Sequence, residues 1–181
     1  MSRKTAIACF VAVVALVGCA LFALDNFSDL FDKIGATYAD SSQVIVADST
    51  AEIADAIRES IGMHDYASLD NEQILTHFGF GSDIIADSTV YTSTKQNDAD
   101  EIAVFKLADM DKSDEVMVAI SDRLSLKLKT FDVLNSYEYD KVENAIFLNK
   151  GEYIILVTTA KTDLAWAAIE SFYQQETAVK K

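Results

Sequence analysis

Three charged residues lie at predicted strand positions or in the middle of a predicted helix. Glu101 and Lys106 enclose the apolar run Ile-Ala-Val-Phe, and Arg123 lies in the middle of a segment with helical periodicity. A carboxylate and a cation that face each other between a sheet and a helix form a structural ion pair, or they contact a polar ligand. We expect a structural ion pair, with ligand contact as the alternative.

The remaining polar residues give no pattern of a catalytic or metal site. His64 and His77 are the only histidines and lack the spacing of zinc ligands. The acidic runs 97–101 and 109–115 offer oxygens that suit calcium, but neither has the glycine and final glutamate of a twelve-residue calcium loop. Gly79-Phe-Gly81 lacks the lysine of a phosphate-binding loop. We therefore expect no catalytic residues, no metal and no cofactor.

Five aromatic residues of the domain could line a binding groove. Aromatic side chains at such spacing are more often part of the core or its edge, and we expect that here. The five are Tyr91, Tyr137, Tyr139, Tyr153 and Trp166.

The first residues of the chain have the pattern of a membrane segment. Thr5 to Leu24 is an uncharged apolar run of 20 residues, which as a helix spans roughly 30 Å, the thickness of a bilayer core. Arg3 and Lys4 precede the run and Asp25 follows it. The positive-inside rule then predicts a cytoplasmic N-terminus and an extracytoplasmic domain.

Two forms of this anchor stay open. Leu16-Val-Gly-Cys19 fits a bacterial lipobox, in which the chain is cut before Cys19 and that sulfur is lipidated. The stretch Ala20–Leu24 remains apolar after the cysteine, however, which favours an uncleaved signal anchor. Both forms tether the chain to the cell membrane.

The charge of the chain is concentrated beyond the anchor. Of 15 basic and 29 acidic side chains, only Arg3 and Lys4 precede Asp25, so residues 25–181 carry 13 positive and 29 negative charges, a net charge of −16. So acidic a domain repels nucleic acid and anionic lipid surfaces, and we expect no nucleic-acid partner. Both cysteines, Cys9 and Cys19, lie in the apolar segment, which leaves the domain without disulfides.

Helical periodicity, capping residues and β-branched runs predict four helices and two strand pairs in the domain. Their ββα-ββα order predicts an α+β fold with two layers, in which an antiparallel sheet from the two strand pairs has helices on one face. The predicted elements are a helix between Ser49 and Gly62, a helix between Asp70 and Gly79, strands at 88–94 and 101–107, a helix at 112–131, strands at 145–148 and 153–158, and a helix at 163–175.

The chain is thereby divided into four parts. Residues 1–24 are predicted as the signal or transmembrane helix, and 25–47 as a juxtamembrane helix and tether. Residues 48–175 are predicted as the α+β extracytoplasmic domain, and 176–181 as a tail.

Four stretches resemble the domain-of-unknown-function 4358 family. They are Glu101–Lys106, Asp122–Leu124, Tyr137–Tyr139 and the hairpin Asn144–Tyr153. Members are small bacterial domains behind a lipoprotein signal or an N-terminal anchor, mostly from Firmicutes. The resemblance extends from about Thr50 to Phe172 and implies an architecture and a location, while the family has no assigned activity.

The sequence therefore predicts a membrane-tethered extracytoplasmic domain that is not an enzyme. We expect an interaction module at the bacterial cell surface, held at the membrane by its N-terminus, with an unidentified protein as partner. The alternative is a small-molecule or cation-binding lipoprotein that serves a transporter or a sensor. An enzyme acting on cell-envelope material ranks third.

Overall fold

A central antiparallel sheet with helices organises the domain in the computed structural model, which describes residues 43–81 and 83–175. The predicted membrane segment, nearly all of the tether, Cys19 and the tail lie outside these residues. Within the two described ranges, no helix is both long enough and apolar enough to cross a membrane.

The described chain forms seven strands and five α-helices. A 3-10 turn at Met110–Lys112 leads into the third helix. In chain order the elements are β1 (Gln43–Ile45), α1 (Thr50–Ile61), β2 (Tyr66–Ser68), α2 (Asn71–Phe78), β3 (Ile85–Ser93), β4 (Glu101–Leu107), α3 (Ser113–Leu134), α4 (Ser136–Glu143), β5 (Ile146–Lys150), β6 (Tyr153–Thr158), α5 (Thr162–Glu170) and β7 (Tyr173–Gln175).

The main sheet has five strands in the order β2-β3-β4-β6-β5, and every neighbouring pair is antiparallel. The two predicted strand pairs are confirmed as β3 with β4 and β5 with β6. Gly151, at φ +61°, takes the first position of the two-residue turn between β5 and β6, a conformation that glycine adopts without steric cost. Separately, β1 pairs with β7.

The α+β class is confirmed, but the prediction of helices on one face is wrong. Ile102 and Val104 of β4 pack with α1 and α5, whereas Ala103 and Phe105 pack on the opposite face with α2, α3 and α4. All side chains of β6 are buried. A strand that is apolar at nearly every position must be covered on both faces. The sheet therefore lies between two layers of helices.

Capping residues set the ends of the first two helices as expected. The side chain of Ser49 accepts a hydrogen bond from the backbone N–H of Glu52. The carboxylate of Glu52 bonds the N–H of Asp48 instead of completing the box with Ser49. Asp70 and Gln73 do form a complete capping box, which satisfies two otherwise unpaired N–H groups at the start of α2.

Two stretches differ from their predicted structure. No helix is predicted between residues 131 and 145, but Asn135 ends α3 and its side chain caps a further helix, α4. The last helix was expected to reach 175, but α5 ends at Glu170 and β7 follows. Pairing of β7 with β1, which is distant in sequence, overrides the local helical pattern there.

Candidate functional site

Glu101 and Arg123 form an ion pair between the sheet and α3. Nε of Arg123 donates to Oε1 of Glu101 at 2.9 Å, and Nη2 donates to Oε2 at 2.6 Å. Glu101 opens β4, and its side chain is 2% exposed. Lys106, the third predicted residue, lies at the far end of the same strand, where Nζ pairs with Oε1 of Glu152 at 2.9 Å. The structure thus brings together two of the three candidate residues.

Lys127 joins this pair from the next turn of α3. Its Nζ donates to the carbonyl of Ala99 at 2.8 Å, to Oε2 of Glu101 at 3.1 Å and to Oγ1 of Thr158 at 3.3 Å. An ammonium has three N–H donors, and each has an acceptor here. Lys127 is not among the candidate residues predicted from the sequence. Lys127 lies four residues after Arg123, which places both on one helix face. This spacing could have indicated that Lys127 joins the pair.

The surroundings of Glu101 and Lys127 shift the pKa of both side chains. Burial alone would raise the pKa of Glu101, but the positive charges of Lys127 and Arg123 and their hydrogen bonds lower it from 4.5 to about 2. Burial lowers the pKa of Lys127, and Glu101 only partly compensates. We conclude that the carboxylate of Glu101 stays ionised between two cations at neutral pH.

A second group of charges surrounds Lys141 of α4. Its Nζ lies 2.8 Å from Oδ1 of Asp98, 3.0 Å from Oδ1 of Asp100 and 3.0 Å from Oε2 of Glu138. Oε2 of Glu138 also accepts the backbone N–H of Ala99 at 2.7 Å. The N–H and the carbonyl of Ala99 therefore connect the two groups.

The carboxylates around Lys141 are not equivalent. Burial opposes the ionisation of Asp98, but hydrogen bonds from Lys141, Ser93 and the backbone of Asp100 lower its pKa to about 2. Burial raises the pKa of Asp100 instead, despite the nearby ammonium. Its Oδ1 lies close to Lys141 but accepts no well-aligned hydrogen bond from any part of the chain that the structure describes. Burial disfavours the charged form of Lys141 too, yet its three acidic neighbours raise the pKa.

Together these residues form one polar cluster at the start of β4. It combines four carboxylates with three cations, so opposite charges nearly balance within it. The ammonium of Lys127 has no donor left for a ligand, and that of Lys141 is enclosed by carboxylates, so the cluster's chemistry is structural: it fastens α3 and α4 to the strand. The members are Asp98, Asp100, Glu101, Arg123, Lys127, Glu138 and Lys141.

The histidines and acidic runs lie apart from any metal-binding arrangement. Nδ1 of His77 is 3.2 Å from Nη1 of Arg123 at the edge of the polar cluster, whereas His64 is exposed beyond α1. Asp109 caps the turn before α3 through the N–H of Asp111. Among residues 43–81 and 83–175 no group of three or more His, Cys, Asp or Glu side chains could hold a metal ion.

The five aromatic residues do not share a groove. Tyr91 and Tyr153 are buried, and Trp166 packs beside them on the α1 and α5 side of the sheet. Tyr139 packs on the opposite side, and Tyr137 is exposed. Core positions therefore account for most of them, as the sequence indicated.

A small cavity of about 200 Å³ lies between the start of α2 and the first residues of β3. One acid on its wall is already engaged, because Oδ2 of Asp87 accepts the N–H of Thr50 at 2.8 Å. The lining residues are Asn71, Ile74, Phe80, Gly81, Ile85, Ala86, Asp87 and Ser88.

The outward side of α3 carries apolar side chains into solvent. Val118 is 47%, Leu126 66% and Val133 84% exposed. Asp122 and Lys129, both exposed, lie between them along the same line. At about 100° per residue the five side chains fall within an arc of roughly 80°. We call these five residues, Val118, Asp122, Leu126, Lys129 and Val133, the α3 stripe.

Comparison with known proteins finds one family. The family model described as "Domain of unknown function (DUF4358)" matches residues 59–159. No curated protein and no solved structure matches the chain. The matched residues include the whole polar cluster and the whole α3 stripe.

Proposed function

The chain belongs to the DUF4358 family, and from that premise we propose that it is a membrane-tethered extracytoplasmic domain that acts as a non-enzymatic interaction module at a bacterial cell surface. The observation that carries this proposal is the α3 stripe. Three exposed apolar side chains that share one face of a surface helix favour a contact there, because a partner would remove their surface from water. The best candidate for a contact surface is therefore the outer side of α3.

The polar cluster supports the same reading. A catalytic lysine needs a free lone pair, and a catalytic carboxylate needs access to substrate. Lys127 instead donates to three acceptors of the chain, and Glu101 is nearly inaccessible. The cluster acts on the inner side of α3, where it fixes the helix that presents the stripe.

The sequence of the N-terminal segment supports the membrane tether. The apolar run Thr5–Leu24, with Arg3 and Lys4 before it and acidic residues after it, favours a domain outside the cytoplasm. Anchorage through lipidated Cys19 and anchorage through an uncut helix both serve this function, because each holds the domain at the membrane.

The alternative function, a small-molecule or cation-binding lipoprotein serving a transporter or a sensor, draws on the cavity beside α2. Its volume is about 200 Å³, below the range of about 300–1,000 Å³ that is common for small-molecule sites. Asp87 on its wall is already bonded to Thr50. We therefore rank this function second.

A photo-crosslinking amino acid at position 126, in native membranes, tests the interaction module. We expect a crosslinked product at Leu126 and none at Glu59, which is exposed on α1 in the opposite layer of helices. No product at either position, combined with turnover of a cell-wall fragment by the purified chain, would contradict the proposal.

The anchor needs its own experiment. Protease added to intact cells should remove a C-terminal tag if the domain faces outward. Globomycin, which blocks the lipoprotein signal peptidase, should cause a larger precursor to accumulate if Cys19 is lipidated. The Cys19→Ala variant should show no such change. An unchanged band in both chains would assign the uncut anchor.

A further inference from the structure

The α3 stripe is self-complementary. Asp122 lies three residues before Ser125, and Lys129 lies three residues after Leu126. Val118 and Val133 lie seven residues out on each side of the same midpoint. A helix with this symmetry offers an acid opposite a base and a valine opposite a valine when it meets its own copy in reverse.

We propose that the partner of the α3 stripe is the α3 stripe of a second copy of the chain, packed antiparallel about a twofold axis between Ser125 and Leu126. Val118 of one copy then packs against Val133 of the other, and Asp122 faces Lys129 of the other copy. The two Leu126 side chains lie beside each other at the axis. This inference rests on the proposed function, for which it names the partner.

The charges select the antiparallel arrangement. Two ion pairs form across the axis, whereas parallel helices in register would place Asp122 against Asp122 and Lys129 against Lys129, which repel. Both side chains are available for the contact, because within the described part of the chain neither takes part in an ion pair.

The size of the contact predicts a weak dimer. α3 has 22 residues and is therefore about 33 Å long. One pair of helices buries less than the roughly 800 Å² per partner of a standard stable interface. Two copies tethered to one membrane, however, meet at an effective concentration that free chains do not reach. The membrane anchor and the weak interface thus suit each other.

Energy transfer between two labelled populations of the full chain in phosphatidylcholine vesicles tests the proposal. We expect transfer above that of randomly distributed chains. Asp122→Lys and Lys129→Glu should each weaken association roughly tenfold, because two attractions become two repulsions. Glu59→Lys, an equal change of charge on the opposite layer, should leave association unchanged.

A mixture of the two variants gives the decisive result. Each D122K copy offers two lysines and each K129E copy offers two acids, so both ion pairs re-form only between unlike copies. Transfer should return to the level of the natural chain in the mixture. Failure of this rescue, or random transfer in the natural chain, overturns the self-association.

The photo-crosslink at position 126 separates this failure from failure of the proposed function. Self-association predicts a product of twice the mass of the chain. A product with a different protein would overturn the second copy as partner and leave the interaction module standing.

Discussion

The guanidinium of Arg123 grips the carboxylate of Glu101 with two hydrogen bonds, of 2.9 and 2.6 Å. The pair joins the first residue of β4 to the middle of α3. Both side chains are largely buried. A buried ion pair gains little net stability, because desolvation of both charges offsets their attraction. Removal of one partner is costly, because the other charge is then left buried without compensation. The pair therefore fixes the position of α3 on the sheet.

Glu101→Gln should destabilise the protein strongly. The substitution leaves Arg123 and Lys127 as neighbouring cations without a carboxylate, and loss of one partner of a buried pair costs about 3–5 kcal/mol. Urea unfolding of the full chain, followed by fluorescence of the single Trp166, measures the free energy. Glu152→Gln is the matched control, since Glu152 is half exposed in its pair with Lys106 and should cost less than about 1 kcal/mol. Equal losses in the two variants would contradict the prediction.

Acid should unfold the protein through the same carboxylate. The pKa of Glu101 is about 2 in the folded chain and 4.5 without perturbation. A group with a lowered folded pKa contributes stability above its unfolded pKa and loses it as the pH falls through the folded value. This contribution is about 3 kcal/mol at neutral pH and should disappear between about pH 5 and pH 2.

Circular dichroism melting curves from pH 7 to pH 2 measure this loss. Asp98, with a folded pKa of about 2, adds to the decline in the same direction. The Glu101→Gln variant should start lower and fall less steeply over this range. Parallel pH profiles of the two chains would show that Glu101 is not the group that titrates.

The residues of the polar cluster could be predicted from the sequence only in part. Glu101 and Arg123 were recognisable because one opens an apolar strand run and the other lies in the middle of a segment with helical periodicity. Four other members lie in mainly polar stretches, in which the sequence gives no indication of burial. They are Asp98, Asp100, Glu138 and Lys141. Glu138 and Lys141 become buried, and Asp98 and Asp100 partly buried, where α4 meets the start of β4, in a contact between residues about forty positions apart.

The layers of the fold show a similar limit. Strand pairs and the N-caps Ser49 and Asp70 depend on neighbouring residues, and these predictions were confirmed, whereas the box of Ser49 with Glu52 was not completed. Covering both faces of β4 and β6 depends on where α1 and α5 pack, which is set by contacts distant in sequence. The uninterrupted apolar runs of those strands indicated cover on both faces, because a strand with one solvent-exposed face alternates apolar and polar residues.

Lys141→Met should destabilise the protein more at neutral pH than near pH 4. Asp98, Asp100 and Glu138 then face each other without a cation, and we expect a loss of about 3 kcal/mol or more. The loss should shrink near pH 4, because protonation relieves the repulsion between the carboxylates. Urea unfolding at both pH values measures the difference. Lys112→Met is the control: its pair with Glu115 is exposed, so the cost should be small at either pH.

Neighbouring leucines of α3 should respond in opposite ways. Leu124 is fully buried against the sheet, whereas Leu126 is 66% exposed on the α3 stripe. Leu124→Ala should cost about 2–5 kcal/mol of unfolding free energy, because it opens a cavity in the core. Leu126→Ala should change that free energy by less than about 0.5 kcal/mol and yet reduce crosslinking and energy transfer between copies. Because both variants make the same change two residues apart, a stability loss at Leu126 equal to that at Leu124 would mean that the stripe serves the fold rather than a partner.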